Sequence, residues 1–318
     1  MDRAEADLLA GTLRRATEAS TGAALDETLE GLGWRDALGA DARTAVVLLF
    51  ELQGRGGATS SGLDDVVANA LGIAPDAGLA VVLPGLDSDV PPGTVAGDAV
   101  AVAGLATSRL LVAGSALVVG VGAEAVATVA VDGLDARRVG GLDPAMGLVE
   151  VAGTTGTVSP VVPLGPERWP AAVRRARLAL GHELVGASEA MLELACAHAR
   201  ERVQFGRPIA TFQAVRHRLA DTMVAIESAR ALLEAAWEDD HPATAAMAKA
   251  VAGRAGLVAA RHCQQVLAGM GFTAEHPLHR FVRRVYVLDE LFGSARSLTA
   301  ALGRDVLAHR RLPAPAPL

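Results

Sequence analysis

The sequence predicts a multidomain α+β protein in which a helical region, a β-region and a four-helix bundle follow one another. Apolar residues recur at helical spacing up to about residue 71 and again from about residue 167. Between these regions lie short Val-rich runs bounded by Gly, Pro and Asp, which are typical of strands. We therefore predict an N-terminal helical domain at 1–75, which is short, a β-domain at 76–163, a bundle at 164–312 and a frayed tail at 313–318.

Composition narrows the class of protein. The chain has 318 residues, of which 51% are hydrophobic and 3% aromatic, so it is long enough to form a packed core. Its formal net charge of -7 argues against nucleic acid as the main partner. Cys196 and Cys263 lie in helical patterns without metal-ligand spacing, so neither a disulfide framework nor a metal site is predicted. No apolar stretch is long enough to cross a bilayer, and the N-terminus does not resemble a signal peptide. We expect a soluble, cytoplasmic protein.

Within this frame, the N-terminal region is predicted to hold three or four helices separated by glycines. The β-region lacks intervening helices, which favours an antiparallel barrel or sandwich. The run Gly120–Ala125 superficially resembles a dinucleotide fingerprint, but no helical pattern follows it, so a turn between strands is preferred. Bundle helices are predicted at 167–199, 211–238, 242–268 and 287–309, with a short helix near 278–284. Histidines on these helices have no paired ligand spacing, which favours structural roles; they are His182, His198, His217 and His262.

Two stretches of the bundle depart from the pattern of ordinary helices. The first, Arg200–Gln213, is a basic, aromatic turn closed by Gly206 and Pro208, which a helix interior excludes. Its arginines predict an anionic partner, and the alternative is that they pair with carboxylates on neighbouring helices. The second, Gln264–Pro277, is a helix that runs into two glycines spaced by one residue. It is either a simple helix C-cap or a place where a ligand approaches the backbone.

Together, the two stretches and the domain order resemble the acyl-CoA dehydrogenase flavoproteins. Arg200–Gln213 is similar to the arginine-aromatic-glycine flavin loop of that family, and Gln265–Pro277 is similar to its glutamine-glycine-glycine motif. The resemblance implies FAD at a dimer interface, where one subunit cradles the isoalloxazine and its neighbour holds the pyrophosphate and adenosine. It assigns the second task to six residues: Arg202, Gln204, Phe205, Gln213, Gln265 and Gly269.

The same resemblance exposes missing catalytic parts. The family's base is a glutamate just before a glycine, and that alignment places Phe292 and Gly293 here. The base of some members precedes the arginine that matches Arg177, and Ala176 stands there. Glu290 could replace the base if residues 287–293 formed a loop, whereas on a helix it faces elsewhere. Otherwise Asp289 and Glu290 are expected at a solvated helix end.

The β-domain departs from the family as well. The motif that holds the flavin ring and thioester has no counterpart, and its nearest match is Leu83–Asp89. Three hypotheses follow. The first is a non-catalytic subunit of an α2β2 acyl-CoA dehydrogenase, of the kind that in actinobacteria oxidises steroid-derived acyl-CoA, in which a second subunit supplies the base. The second is a self-sufficient homodimer that uses Glu290 or another base, and the third is a non-enzymatic scaffold.

Overall fold

The order of element types is the predicted one. The computed structural model describes residues 2–96, 99–120, 125–239 and 241–310. Residues 121–124 of the fingerprint-like run and the predicted tail at 313–318 lie outside the described residues.

The helices are α1 (Arg3–Ala19), α2 (Ala23–Gly31), α3 (Trp34–Ala40), α4 (Ala42–Gly56), α5 (Gly62–Leu71), α6 (Arg168–Glu201), α7 (Gln213–Asp239), α8 (Pro242–Leu267), α9 (Leu278–Glu290) and α10 (Ala295–His309). The strands are β1 (Leu79–Val81), β2 (Gly93–Ala96), β3 (Ala99–Ala106), β4 (Ser115–Val119), β5 (Ala125–Ala130), β6 (Asp135–Arg138), β7 (Val149–Gly156), β8 (Val162–Pro163), β9 (Val203–Gln204) and β10 (Arg207–Pro208).

The N-terminal helices pack directly on the bundle. Glycines end several of them, and Gly33, Gly57 and Gly72 adopt the left-handed conformation that favours glycine at helix boundaries. Gly54 of α4 and Gly186 of α6 face each other so closely that a Cβ on either residue would lie 2.2 Å from a backbone oxygen of the other helix. The two backbones are therefore in contact. Buried side chains of α1–α5 and of the bundle form one continuous core.

The β-region is a sandwich of two four-stranded sheets. Their strand orders are β1-β4-β5-β8 and β2-β3-β7-β6. Alternate residues such as Val100 and Val102 of β3 and Val151 of β7 point inward and form a separate core with side chains of the other sheet. The prediction of purely antiparallel pairing is wrong for β1 and β4, which run parallel with Leu79 opposite Ser115. The described strands do not close into a barrel, so the sandwich alternative is the observed one.

The bundle is built from α6, α7 and α8, with α9 and α10 completing it. Buried alanines recur on α8 at alternating steps of three and four, which brings the helix close to α6; they are Ala245, Ala248, Ala252, Ala255 and Ala259. The predicted helix at 287–309 is wrong as a single element. The helix predicted to end at 284 continues to Glu290, and a turn at 291–294 separates it from α10.

Among residues 2–96, 99–120, 125–239 and 241–310, no helix is long and apolar enough to span a membrane. The same residues contain no cluster of three or more His, Cys, Asp or Glu side chains arranged to hold a metal ion.

Candidate functional site

The predicted basic turn is a two-stranded hairpin between α6 and α7. Helix α6 ends at Glu201, and Gln204 of β9 pairs with Arg207 of β10. At the tip, Phe205 has φ +55° and Gly206 has φ +79°, so both residues are in the left-handed region. Pro208 has no N–H to continue a helix. The hairpin therefore projects from the end of the long helix as the Gly and Pro pattern predicts.

A cavity of about 420 Å³ lies between this hairpin, the end of α6 and the end of α8. We call it the Arg202 cavity; it is lined by His198, Arg202, Gln204, Ile209, Val266, Leu267, Ala268, Gly269 and Met270. Three of the six predicted site residues, Arg202, Gln204 and Gly269, thus share one cavity although Gly269 is far from the others in sequence.

Arg202 is the charged group of this cavity. Its backbone N–H donates to the carbonyl of His198 (2.9 Å), which fixes the start of its side chain. Within the described residues its guanidinium makes no hydrogen bond or ion pair, so the expected alternative of helix-to-carboxylate pairing is not observed for Arg202. Arg207, by contrast, lies 4.5 Å from the ring centre of Phe212, in cation–π geometry. The cavity therefore offers an unpaired cation to a ligand.

Gly269 leaves space beside the arginine. A Cβ built on it would meet no heavy atom within 4 Å. The preceding residue, Ala268, has φ 51° and ψ -130°, a conformation that L-residues rarely adopt. This unusual backbone ends α8 and turns the chain past the cavity. The predicted simple helix C-cap is thus a strained bend at the cavity wall.

The other three predicted site residues lie outside the Arg202 cavity. Phe205 is 93% exposed at the hairpin tip, with its ring centre 6.1 Å from that of Phe212 in an edge-to-face arrangement. Gln213 is exposed at the first position of α7. Gln265 lines a second, open cavity of about 640 Å³ between α8 and α9, together with Arg254, Arg261 and Tyr286.

Large apolar side chains surround both cavities yet face solvent. Phe272 is 75% exposed, Val203 53%, and Met270 and Tyr286 48% each. Phe272 and Tyr286 line one cavity and Met270 lines the other, and exposed apolar side chains grouped in this way mark a binding or protein–protein interface. The hairpin tip and the turn after α8 therefore form a surface suited to contact with another chain.

The position that the resemblance assigns to the family's base is buried, unlike the exposed surface around the two cavities. The turn Leu291–Ser294, which we call the Phe292 turn, contains Phe292 with φ 57° and Gly293 with φ 98°. The Phe292 side chain is only 1% exposed and belongs to the main core. Ala176, at the alternative base position, is fully buried. Neither position presents a group that can accept a proton.

Two buried cations hold the Phe292 turn through its carbonyl oxygens. Arg177 donates from Nε to the carbonyl of Phe292 (3.0 Å), and its guanidinium also pairs with Asp89 Oδ2 (2.7 Å). Lys249, with no exposed surface, donates from Nζ to the carbonyls of Asp289 (3.0 Å) and Gly293 (3.3 Å). Burial lowers the pKa of Lys249 to about 8. Both cations are therefore bonded to groups within the chain.

The segment that best matches the missing flavin motif is docked on this turn. Asp87 accepts hydrogen bonds from Ser294 N (2.7 Å) and Ser297 Oγ (2.5 Å), and its own N–H donates to the carbonyl of Glu290 (2.7 Å). Asp89 holds Arg177 and, through its carbonyl, the indole N–H of Trp169 (2.9 Å). These contacts tie residues 87–89 to the bundle.

Acidic residues near the turn do not form an open catalytic site. Asp289 is buried, contrary to the expected solvated helix end, and accepts a hydrogen bond from Ala295 N (3.0 Å). Glu290 is half-buried at the last position of α9, and its pKa is raised by burial and by Asp87 and Asp289. Glu183, whose pKa burial raises to about 6, is held by Arg284 (3.2 Å) beside an internal cavity of only about 30 Å³. Its enclosure depends on long-range contacts, which the local sequence does not reveal.

Comparison with known proteins identifies the class that this fold and these motifs define. Residues 169–307 match the family described as acyl-CoA dehydrogenase, C-terminal domain. These residues, less than half of the chain, therefore carry the likeness to the acyl-CoA dehydrogenases.

Particular relatives refine the comparison. The chain is similar to the acyl-CoA dehydrogenase IpdE2 of Mycobacterium tuberculosis, at 38% identity over 144 residues, which cover 45% of each chain. It is 34% identical over 131 residues to IpdE2 of Mycolicibacterium smegmatis, covering 41% of this chain and 42% of that one. The matches thus span less than half of these curated relatives.

Solved structures resemble the chain over nearly its whole length. One is a variant of the Tcur3481-Tcur3483 steroid ACAD, with a TM-score of 0.78, 26% identity, and coverage of 96% of this chain and 98% of that one. Another is the ChsE4-ChsE5 complex from Mycobacterium tuberculosis, with a TM-score of 0.77, 23% identity and 99% coverage of both chains. The second likeness, at this identity, speaks for the fold alone.

Proposed function

We propose that this chain is the non-catalytic subunit of a hetero-oligomeric, FAD-dependent acyl-CoA dehydrogenase. Its share is the half-site for the pyrophosphate and adenosine of a flavin whose ring is held by a partner subunit. The observation that carries the proposal is the contrast between Arg202, a cation without a partner in the described chain, and Phe292, a buried ring at the position of the base.

The residues of the Arg202 cavity fit the phosphate end of a flavin dinucleotide. A guanidinium that makes no internal bonds is ready for charge-assisted hydrogen bonds to phosphate oxygens. The Gln204 side-chain amide can both donate and accept, and the space at Gly269 admits close approach of a ligand to backbone. Phe205 and Phe272 add apolar surface for a partner or for a flat adenine ring.

The flavin-ring end does not fit this chain. Residues 87–89, the nearest match to the flavin motif, are bonded to α6 and to the Phe292 turn. The internal space beside Glu183 is about 30 Å³, far below the size of ligand pockets. Bound FAD would accept a hydride during α,β-dehydrogenation of the acyl thioester. This chain would anchor the cofactor's far end, while the partner would provide the base and the thioester pocket.

The composition of the proposed assembly follows from the solved relatives. Two of them are named as pairs of proteins, Tcur3481-Tcur3483 and ChsE4-ChsE5, and the first is called a steroid ACAD. By this analogy we propose an α2β2 assembly with a second acyl-CoA dehydrogenase subunit, and a bulky, steroid-derived acyl-CoA as the substrate.

Co-expression with a candidate catalytic subunit tests the proposal. We expect a yellow complex with one flavin per heterodimer, and a colourless chain when this subunit is expressed alone. Arg202→Ala should remove most of the flavin from the purified complex, because a charged phosphate contact is lost. Arg304→Ala, on the exposed face of α10, is the matched control and should retain it. Stoichiometric flavin on the isolated chain, or unchanged flavin in the Arg202→Ala complex, would count against the proposal.

One observation favours the self-sufficient enzyme as a second candidate. Glu290 is half-buried and has a raised pKa, as a general base often does. If the purified chain alone oxidised an acyl-CoA and Glu290→Gln abolished that turnover, this candidate would replace the first.

A further inference from the structure

His198 lines the Arg202 cavity and has no hydrogen-bond partner in the part of the chain that the structure describes. His198 lies on the last turn of α6, one turn before Arg202, and both side chains line the cavity. Residues four apart on a helix lie on the same face, so the imidazole and the guanidinium can reach the same ligand. The sequence alone favours a structural role for this residue.

The bonding of His198 argues against that structural role. His182, on the same helix, is 2% exposed; its Nδ1 lies 3.0 Å from Glu51 Oε1, and its Nε2 accepts from the Trp237 indole (3.1 Å). His198 is half-buried, and neither of its ring nitrogens has a hydrogen-bond partner among the residues that the structure describes. A half-buried imidazole with both nitrogens free beside an unpaired arginine has its polar groups available for a ligand.

Burial and a neighbouring charge disfavour the protonated form of His198 in the empty cavity. Its pKa is lowered by burial and by Arg202 at the C-cap of the helix, and Glu201 offsets part of this effect. His276, on the turn after α8, is the other titratable group close enough to interact, and its own pKa is lowered by burial and then by His198. A phosphate bound in the cavity would place negative charge beside Arg202 and His198 and favour protonation of His198.

We propose that His198 is a second phosphate ligand of the Arg202 cavity, and that its protonation makes the cavity's affinity for a pyrophosphate group depend on pH. This inference rests on the proposed function, since it names a residue of the same half-site. When protonated, His198 adds a charge-assisted hydrogen bond to the one from Arg202. When neutral it can donate only one weaker bond, so affinity should fall by roughly tenfold from about pH 5.5 to about pH 8.

The experiment measures binding of ADP-ribose to the full chain by titration calorimetry at both pH values. ADP-ribose carries the adenosine and a pyrophosphate diester, whose charge stays constant over this range, and lacks the flavin ring. We expect His198→Gln to remove the pH dependence, and His198→Lys to keep the tight binding at the higher pH. Arg202→Gln should weaken binding at both pH values. The control, His217→Gln, alters an exposed histidine of α7 outside the cavity and should behave like the wild type.

The outcomes separate this inference from the proposed function. Binding that depends on Arg202 but not on pH, or a pH dependence that persists in His198→Gln, would overturn the role of His198 and leave the half-site standing. Absence of ADP-ribose binding at both pH values would overturn the role of His198, whereas the proposed function is tested separately by the flavin content of the complex. A pH dependence lost in His198→Gln and replaced by constant tight binding in His198→Lys would establish His198 as a ligand, because a merely structural histidine would not be rescued by lysine.

Discussion

The Arg202 cavity and the Phe292 turn are each built around an arginine, Arg202 at the C-cap of helix α6 and Arg177 within the helix, yet the two arginines are bonded in opposite ways. Arg177 and the neighbouring Lys249 spend their donors on backbone carbonyls and on Asp89. Arg202, in contrast, has no partner in the described chain. A cation saturated inside the chain stabilises the fold, whereas one left unpaired at a cavity is available to a ligand. The position that the family resemblance assigns to the base is thus filled by a buried side chain, whereas the Arg202 cavity is open to a ligand.

The largest expected effect comes from adding a methyl group to the closely packed region around the Phe292 turn, which we call the closed region; the region around the Arg202 cavity is the open region. Gly253→Ala on α8 would place a Cβ 1.9 Å from Asp289 Oδ1 and disturb the hydrogen bond that Ala295 N donates to that oxygen. Alanine's higher helix propensity favours the variant by about 1 kcal/mol, but the overlap is larger, so we expect a net loss of about 3 kcal/mol. Urea unfolding of the full chain measures this loss.

The matched variant in the open region is Gly269→Ala, whose Cβ meets nothing within 4 Å. It should change the free energy of unfolding by no more than about 0.5 kcal/mol. Equal losses for the two glycines would show that the regions do not differ in packing as described.

The second comparison uses the two arginines. Arg177→Met leaves the buried carbonyl of Phe292 without a donor, and we expect a loss of about 2 kcal/mol in the free energy of unfolding. The lost pair with Asp89 adds little, because the Asp89 side chain is 51% exposed. Arg202→Met should be within about 0.5 kcal/mol of the wild type, since it breaks no internal bond. Chemical denaturation of both variants measures these changes in the free energy of unfolding. A loss for Arg202→Met as large as that for Arg177→Met would contradict the difference in bonding between the two arginines.

Much of this contrast lay beyond what the sequence could predict. The long helices and the hairpin followed from apolar spacing and from Gly206 and Pro208, which act locally. The break after α9 was missed because Phe292 adopts a positive φ, which no local signal for a bulky residue indicates; Gly293 was the only local sign.

The long-range bonds were equally hidden from sequence. The pairing of Arg177 with Asp89 and the parallel pairing of β1 with β4 join segments that are far apart in the chain. The composition of the Arg202 cavity has the same origin, since the fold brings Gly269 to the end of α6. Motif resemblance linked these residues before the structure did, whereas His198 carried no motif signal and emerged only from its free ring nitrogens.

The third test uses a buried acid, because one of its oxygens has no partner, whereas the buried cations Arg177 and Lys249 are bonded within the chain. Asp64 of α5 has no exposed surface; its Oδ2 accepts from Thr107 Oγ1 (2.9 Å) and Val81 N (3.3 Å), while Oδ1 has no partner. Burial raises its pKa to about 7, although Arg109 lowers it. The folded state thus holds the proton more tightly than the unfolded chain, so stability present below about pH 4 is lost as pH rises to about 7.

Asp64→Asn should remove this pH dependence, because the amide keeps an acceptor for Thr107 and Val81 and carries no charge. We expect the variant to be about 2 kcal/mol more stable than the wild type at about pH 8 and to lose that advantage near pH 4. Denaturation curves across this range measure the difference. If wild type and variant showed parallel pH profiles, Asp64 would not be the titrating group.

The smallest expected effect concerns the strained bend of the open region. Ala268 has φ 51° and ψ -130°, which costs an L-residue about 1–3 kcal/mol. Phe292 also has a positive φ, but the burial of its ring offsets the strain, whereas the exposed Ala268 has no comparable packing. Ala268→Gly relieves the strain and costs about 0.5–1 kcal/mol in backbone entropy, so we expect a net gain of about 1 kcal/mol. If the melting temperature rises by a few degrees and the flavin content of the complex is unchanged, the fold maintains this bend in the cavity wall at a cost in stability. If the melting temperature falls, the Ala268 methyl group packs favourably and the bend is not strained.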